Sequence, residues 1–267
     1  MLMPLEKIKM KIYKLIIKNN IKRFFNINFM KIFIPIFAIA IGLPIYGVIK
    51  PFYLQFSSSN ITIDLKLKEF LSLQSMILIR FSLSIYIAVA WTFINKTFYE
   101  GKINGEVEAL LGMGVSGKKL WLIKSISIII ASIILVLPLI IISNLIIYIL
   151  FIKFAVFKLN IISYLFVLII NPIILSEVIL LVGGFQILSD DSTKSSFFMF
   201  GLFFLTYVIP YKNNIYYDKQ IQIRYLLIYG AIIIVMAILN YLMSKVITNE
   251  NIVLSKFKIH KKNTRKL

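Results

Sequence analysis

Residues 122–151 read LIKSISIIIASIILVLPLIIISNLIIYILF, a long apolar run with a single Lys near its start and no acidic residue. A helix needs about 20 consecutive apolar residues to cross the hydrocarbon core of a bilayer. A surface helix of a soluble domain confines its apolar residues to one stripe, whereas this run is apolar on every face and expects lipid. It also exceeds the bilayer thickness, so it should tilt or project beyond the surface.

Working outward, runs of the same kind occur at 32–49, 73–93, 161–188, 197–210 and 225–245. The expected fold is therefore all-α, a polytopic transmembrane bundle of about six helices. The first run contains Pro35 and Pro44, which bend rather than break a membrane helix when neighbours satisfy the freed carbonyls. The composition agrees: 60% of the 267 residues are hydrophobic, 15% are charged, and the mean hydropathy is +0.89.

Residues 1–30 are of another kind. Lys7, Lys11, Lys14, Lys18 and Lys22 recur at helical spacing, with Leu5, Ile8, Ile12, Leu15 and Ile16 on the other side. This is the pattern of an amphipathic helix lying in the membrane interface with its Lys stems snorkelling. The chain thus divides into the N-terminal helix 1–30, a six-span domain 31–246, and a basic tail 247–267. The first apolar run follows a long basic segment and ends in no convincing cleavage site, so no cleavable leader is expected.

The formal charge of +19 does not point to nucleic acid, because the cations sit between and beyond apolar runs rather than on a folded soluble face. The N-terminal segment, the 95–124 loop, the 189–195 loop and the tail hold 21 of the 30 Lys and Arg; the opposite loops hold 8, and Arg80 lies within the second run. The positive-inside rule then puts both termini in the cytoplasm of a multi-pass cell-membrane protein. With no Cys there is no disulfide framework, thiolate nucleophile or Cys metal site. His260, the one histidine, stands in the tail without a metal partner at helical spacing. No catalytic set, cofactor or metal is expected.

The one sizeable polar stretch between runs is 95–120. Within it, residues 99–121 lead from the second run directly into the third. There Glu106, Leu110, Leu111 and Leu120 make a short amphipathic pattern broken by Gly112, Gly114 and Gly117. A short helix joined rigidly to two spans can be pushed by a soluble partner and move both. Residues 112–119, GMGVSGKK, come within one residue of the phosphate-binding loop GxxxxGK[ST]. Lys119 stands where the Mg²⁺-binding hydroxyl belongs, and no buried strand precedes it, so nucleotide binding is not expected here.

Residues 105–124, GEVEALLGMGVSGKKLWLIK, resemble the cytoplasmic coupling segment of type-2 ABC exporter permeases. In that family an acidic residue, a Leu pair, a small-residue turn ending in Ser, basic residues and a downstream Lys recur in this order. The matching positions are Glu106, Glu108, Leu110, Leu111, Ser116, Lys118, Lys119 and Lys124. The resemblance implies a permease subunit without its own ATPase site, working as a homo- or heterodimer, on which an ABC ATPase subunit docks. It further implies that Glu106 and Glu108 meet basic residues of the ATPase while Leu110 and Leu111 fill its groove. The family usually has Pro where this chain has Gly114. That Gly-Val-Ser turn also resembles the four-span lipoprotein-release and cell-division permeases, which carry a large external domain that the short 50–72 connection lacks.

Two ionisable residues fall inside apolar runs, Glu177 in the fourth and Arg80 in the second. Such residues are costly in lipid and mark either a pathway or a paired charge. Glu177 is read as a functional group, with Arg80 as one partner, or as a packing carboxyl bonded to Ser176 or backbone. Gly183-Gly184 reads as a close helix contact. An intramembrane enzyme would need paired acids, a His cluster or a Ser-Lys pair at depth. An ATP-independent carrier would show duplicated halves, and no repeat is evident.

Overall fold

The computed structural model describes residues 5–26, 82–151, 161–189 and 219–255, together with isolated positions at 31, 46, 50, 53, 54, 57, 67, 70, 71, 74, 78, 79 and 201. Among the described residues every regular element is helical. Apart from Tyr46 and Gly201, the apolar runs at 32–49 and 197–210 lie outside them, as do Arg80, most of the 189–195 loop and the tail beyond 255, so six spans are not counted here.

Helix α1 is Leu5–Phe24. Helix α2, Ser82–Ile94, continues through a π-helical turn at Asn95–Tyr99 into the short α3, Glu100–Ile103. Then come α4, Glu106–Gly112, and α5, Gly117–Phe151. Helix α6, Ile161–Leu165, runs through a second π-helical turn, Phe166–Ile170, into α7, Asn171–Leu188. Helix α8 is Lys219–Val246, and a last helix, α9, covers 249–255.

Among the described residues, three helices are long and apolar enough to cross a membrane: Gly117–Phe151, Ser163–Leu188 and Leu226–Val246. They correspond to the runs read at 122–151, 161–188 and 225–245. The first begins five residues earlier than expected, so 117–121 belong to the span's own first turns. It also continues through Pro138, which faces outward. Lipid explains why such helices form: with no water to satisfy backbone groups, each must close its own hydrogen bonds.

Helices α5 and α7 sit at the centre. Each packs against the other and against α2, while α1 lies on α5 and α8 on α7. Helix α5 buries Leu120, Lys124, Ile128, Ser132, Val136, Ile140, Asn144 and Ile147 at three- and four-residue intervals. Its other face leaves Ile126, Ile130, Ile134, Ile142 and Ile149 exposed. In water that face would be an aggregation hazard; in a bilayer it meets acyl chains as apolar as itself.

Polar side chains fasten the interior. Trp121 Nε1 donates to the Leu180 carbonyl at 2.9 Å, tying α5 to α7. Asn171 Nδ2 donates to Ser82 Oγ at 2.5 Å and to the Ile79 carbonyl at 3.2 Å, tying α7 to α2. Bonds of this kind contribute about 0.6 kcal/mol each in membrane bundles. Gly183 and Gly184 serve close approach, as expected: a Cβ on Gly183 would lie 2.6 Å from the Phe98 ring, and one on Gly184 2.6 Å from Met243 Cγ.

Candidate functional site

The segment joining α2 to α5 is held by two lysines whose side chains are fully buried. Lys124 lies on the second turn of α5, where its Nζ donates to the Thr97 carbonyl at 2.8 Å and to Glu106 Oε1 at 3.1 Å. Glu106 opens α4, and its other oxygen accepts from Arg23 Nη1 of α1 at 2.8 Å. One carboxylate thus joins three elements, α1, α4 and α5, and through Thr97 the π-helical turn below α2. Side-chain exposure grades outward along the chain of charges, from 0% at Lys124 to 29% at Glu106 and 46% at Arg23.

Burial by itself raises the Glu106 carboxyl pKa. The Lys124 ammonium and the Arg23 guanidinium outweigh it and hold the group below the ordinary glutamate value. Gly101 makes room for the arrangement, since a Cβ there would stand 2.8 Å from Lys124 Nζ. Glu108, half-buried on the same turn of α4, adds its negative charge to the environment of Lys124.

Lys102, on α3, is the second buried lysine. Its Nζ donates to the carbonyls of Ile187 at 3.1 Å and Ser189 at 2.8 Å, and to Ser255 Oγ. The C-terminal carbonyls of a helix lack intrahelical donors and carry the negative end of its dipole, so the ammonium caps α7. Sequence reading placed Lys102 only among loop charges, and no spacing signal marks it. Asn249 does the complementary work at a helix start: its Oδ1 accepts from the Gly117 N–H at 2.6 Å, capping α5 from the C-terminal segment.

Between α4 and α5 the chain turns at Gly114, whose φ is +80°. Only Gly adopts this conformation freely, and proline, locked near −65°, cannot adopt it at all. The departure from the resembling family at this position is therefore built into the turn. It also decides what faces outward: Gly112, Met113, Gly114, Ser116, Lys118 and Lys119 are exposed, Met113 to 60%. Lys119 Nζ stands 5.9 Å from the Tyr13 ring centre, within cation–π range.

The expected site residues thus fall into two groups. Ser116, Lys118 and Lys119 share the exposed turn. Glu106 and Lys124 pair within the chain, Leu110 is buried, and Leu111 is half-buried. Helix α4 packs its own Val107 and Leu110 into the core.

Glu177 is half-buried in α7 and is bonded to Asn240 of α8. Asn240 Nδ2 reaches Glu177 Oε2 at 2.6 Å and its backbone carbonyl at 3.0 Å. Ser176 Oγ donates instead to the Ile173 carbonyl at 2.7 Å. The partner across the interface is an amide that sequence reading did not name; Arg80 lies outside the described residues. No group of three or more His, Cys, Asp or Glu suited to a metal occurs among the described residues.

Comparison with protein families, curated proteins and solved structures returns no match to this chain.

Proposed function

We propose that the chain is the permease subunit of an ATP-driven exporter, coupling ATP hydrolysis on a separate ABC ATPase subunit to substrate translocation. It would sit in the cell membrane with both termini cytoplasmic and work as a homo- or heterodimer. The observation that carries this reading is the mounting of α4 and its turn. A short exposed segment between two apolar helices is fixed by Glu106 to α1 and α5, and its neighbour α3 is fixed by Lys102 to the end of α7. A push on the Met113–Lys119 turn would then move several helices as one body rather than bend a loop. A solvated connector would need neither buried lysine.

Docking in this reading falls on the exposed turn, with Met113 as the apolar contact and Ser116, Lys118 and Lys119 as polar ones. Glu106 and Lys124 stiffen the mount, and Glu108 supports them. The test is purification of the intact complex from its native membrane in mild detergent. It should contain an ATPase with a complete phosphate-binding loop, and substrate should stimulate its turnover. Met113→Asp combined with Lys118→Glu and Lys119→Glu should release the ATPase while the chain stays folded. ATP turnover by the chain alone, or an undiminished complex after these changes, would refute the proposal.

A further inference from the structure

A cleft of about 570 Å³ opens between α1 and α4. Its walls are apolar, with Ile12, Leu15 and Ile16 on one side and Leu110 and Met113 on the other. Its polar lining is Lys11, Asn19, Asn20, Arg23 and the single carboxylate of Glu106, which Lys124 and Arg23 already neutralise. Asn20 is only 5% exposed, and its amide nitrogen has no acceptor among the described residues. A buried donor without a partner costs roughly 1–3 kcal/mol, so a ligand that brings an acceptor is favoured at this place.

We propose that this cleft binds an anionic phospholipid, with its phosphate at the Asn20–Arg23 end and an acyl chain along Ile16, Ile12 and Leu110. Three features favour lipid over an acidic peptide. One wall of the cleft, α1, packs on α5, a helix long and apolar enough to cross a membrane. The outward face of α1 interleaves exposed Met10 and Leu15 with exposed Lys11, Lys14, Lys18 and Lys22, as a helix at a headgroup boundary does. The apolar wall ends at Asn20 and Arg23, which is the layout of an acyl chain joined to a phosphate.

The test uses the full chain purified in detergent and titrated with phosphatidylglycerol or phosphatidylcholine, read by thermal unfolding and by native mass spectrometry. Phosphatidylglycerol should bind in preference and raise the unfolding midpoint. Arg23→Gln should weaken that binding roughly fivefold, the share of one interfacial cation. Lys18→Gln, on the same helix but outside the cleft, should change it far less. Asn20→Leu should also weaken binding while leaving the lipid-free chain as stable or more so, since it removes an unpartnered donor. If that variant does not fold, the contrast between Arg23 and Lys18 carries the test. Equal losses at Arg23 and Lys18 would mean a diffuse basic face and overturn the proposal. So would no preference for the anionic lipid, or occupancy by an acidic amphipathic peptide in its place. No ATPase is needed for these measurements, so their outcome is separate from that of the proposed function.

Discussion

Exchanging Glu106 for Gln keeps the shape of the side chain and removes its charge, which leaves Lys124 as a fully buried ammonium with the Thr97 carbonyl and a neutral amide. Removing one partner of a buried pair costs about 3–5 kcal/mol. Glu106 is 29% exposed, and Lys124 keeps its bond to Thr97, so the expected loss is smaller, about 2–3 kcal/mol. Arg23→Gln removes only the exposed end of the chain of charges and should cost about 0.5–1 kcal/mol. Lys124→Met replaces the buried cation with an apolar side chain of similar length. Glu106 then retains Arg23 and partial access to water, and the change should cost less than Glu106→Gln. The double variant Glu106→Gln with Lys124→Met should recover most of what the first change loses, because no buried charge remains. The assay is thermal unfolding of the purified chain in detergent, followed by Trp121, which lies one turn from Lys124 on α5. At about 2–4 °C per kcal/mol for a chain of this size, Glu106→Gln should lower the midpoint by about 4–12 °C. If Glu106→Gln costs no more than Arg23→Gln, or if the double variant shows no recovery, the carboxylate is not the tie that holds these helices.

The same group sets an acid limit. The folded Glu106 pKa lies below its unfolded value of about 4.3. The stability it contributes is therefore fully present above that value and is lost as pH falls through the folded pKa. Unfolding midpoints recorded across the acid range should show a steeper decline for the native chain than for Glu106→Gln; parallel curves would contradict this. Gly114→Pro should disrupt the α4–α5 turn by about 3 kcal/mol or more, whereas Gly114→Asn, which tolerates positive φ, should cost far less. Proteolysis at residues 112–117 is the direct readout. Gly183→Ala should cost about 1–3 kcal/mol because its Cβ meets a packed Phe98 ring. Gly184→Ala meets the flexible Met243 chain and should cost less, and unfolding midpoints compare the two.

Much of the secondary structure was legible because lipid makes the code simple. A long run apolar on all sides can satisfy its backbone only as a helix, and the described helices at 117–151, 161–188 and 219–246 follow the runs within a few residues. Gly183-Gly184 was also legible as a close contact, since paired small residues within a span have few other uses. The wiring of the site was not. Glu106 was marked by its place in a motif, but its partners stand 83 and 18 residues away, and periodicity within a helix carries no information about such pairs. Lys102 looked like any loop cation until three acceptors from two distant segments closed around it. The partner of Glu177 was an amide 63 residues on, which no charge count would select.

By itself, then, the sequence determined solvent and element: which segments are helical, which of them expect lipid, and where a polar connector joins two of them. The tertiary structure decided which side chains of that connector remain outside. Helix α4 has to bury Val107 and Leu110, and the cations of α1 and α5 converge on its first turn. Glu106 is therefore drawn inward as a tie, and the turn at Gly114 carries Met113, Ser116, Lys118 and Lys119 to the surface. Hydropathy is a property of segments and can be read along the chain; the pairing of charges is a property of distances, which exist only once the helices have packed.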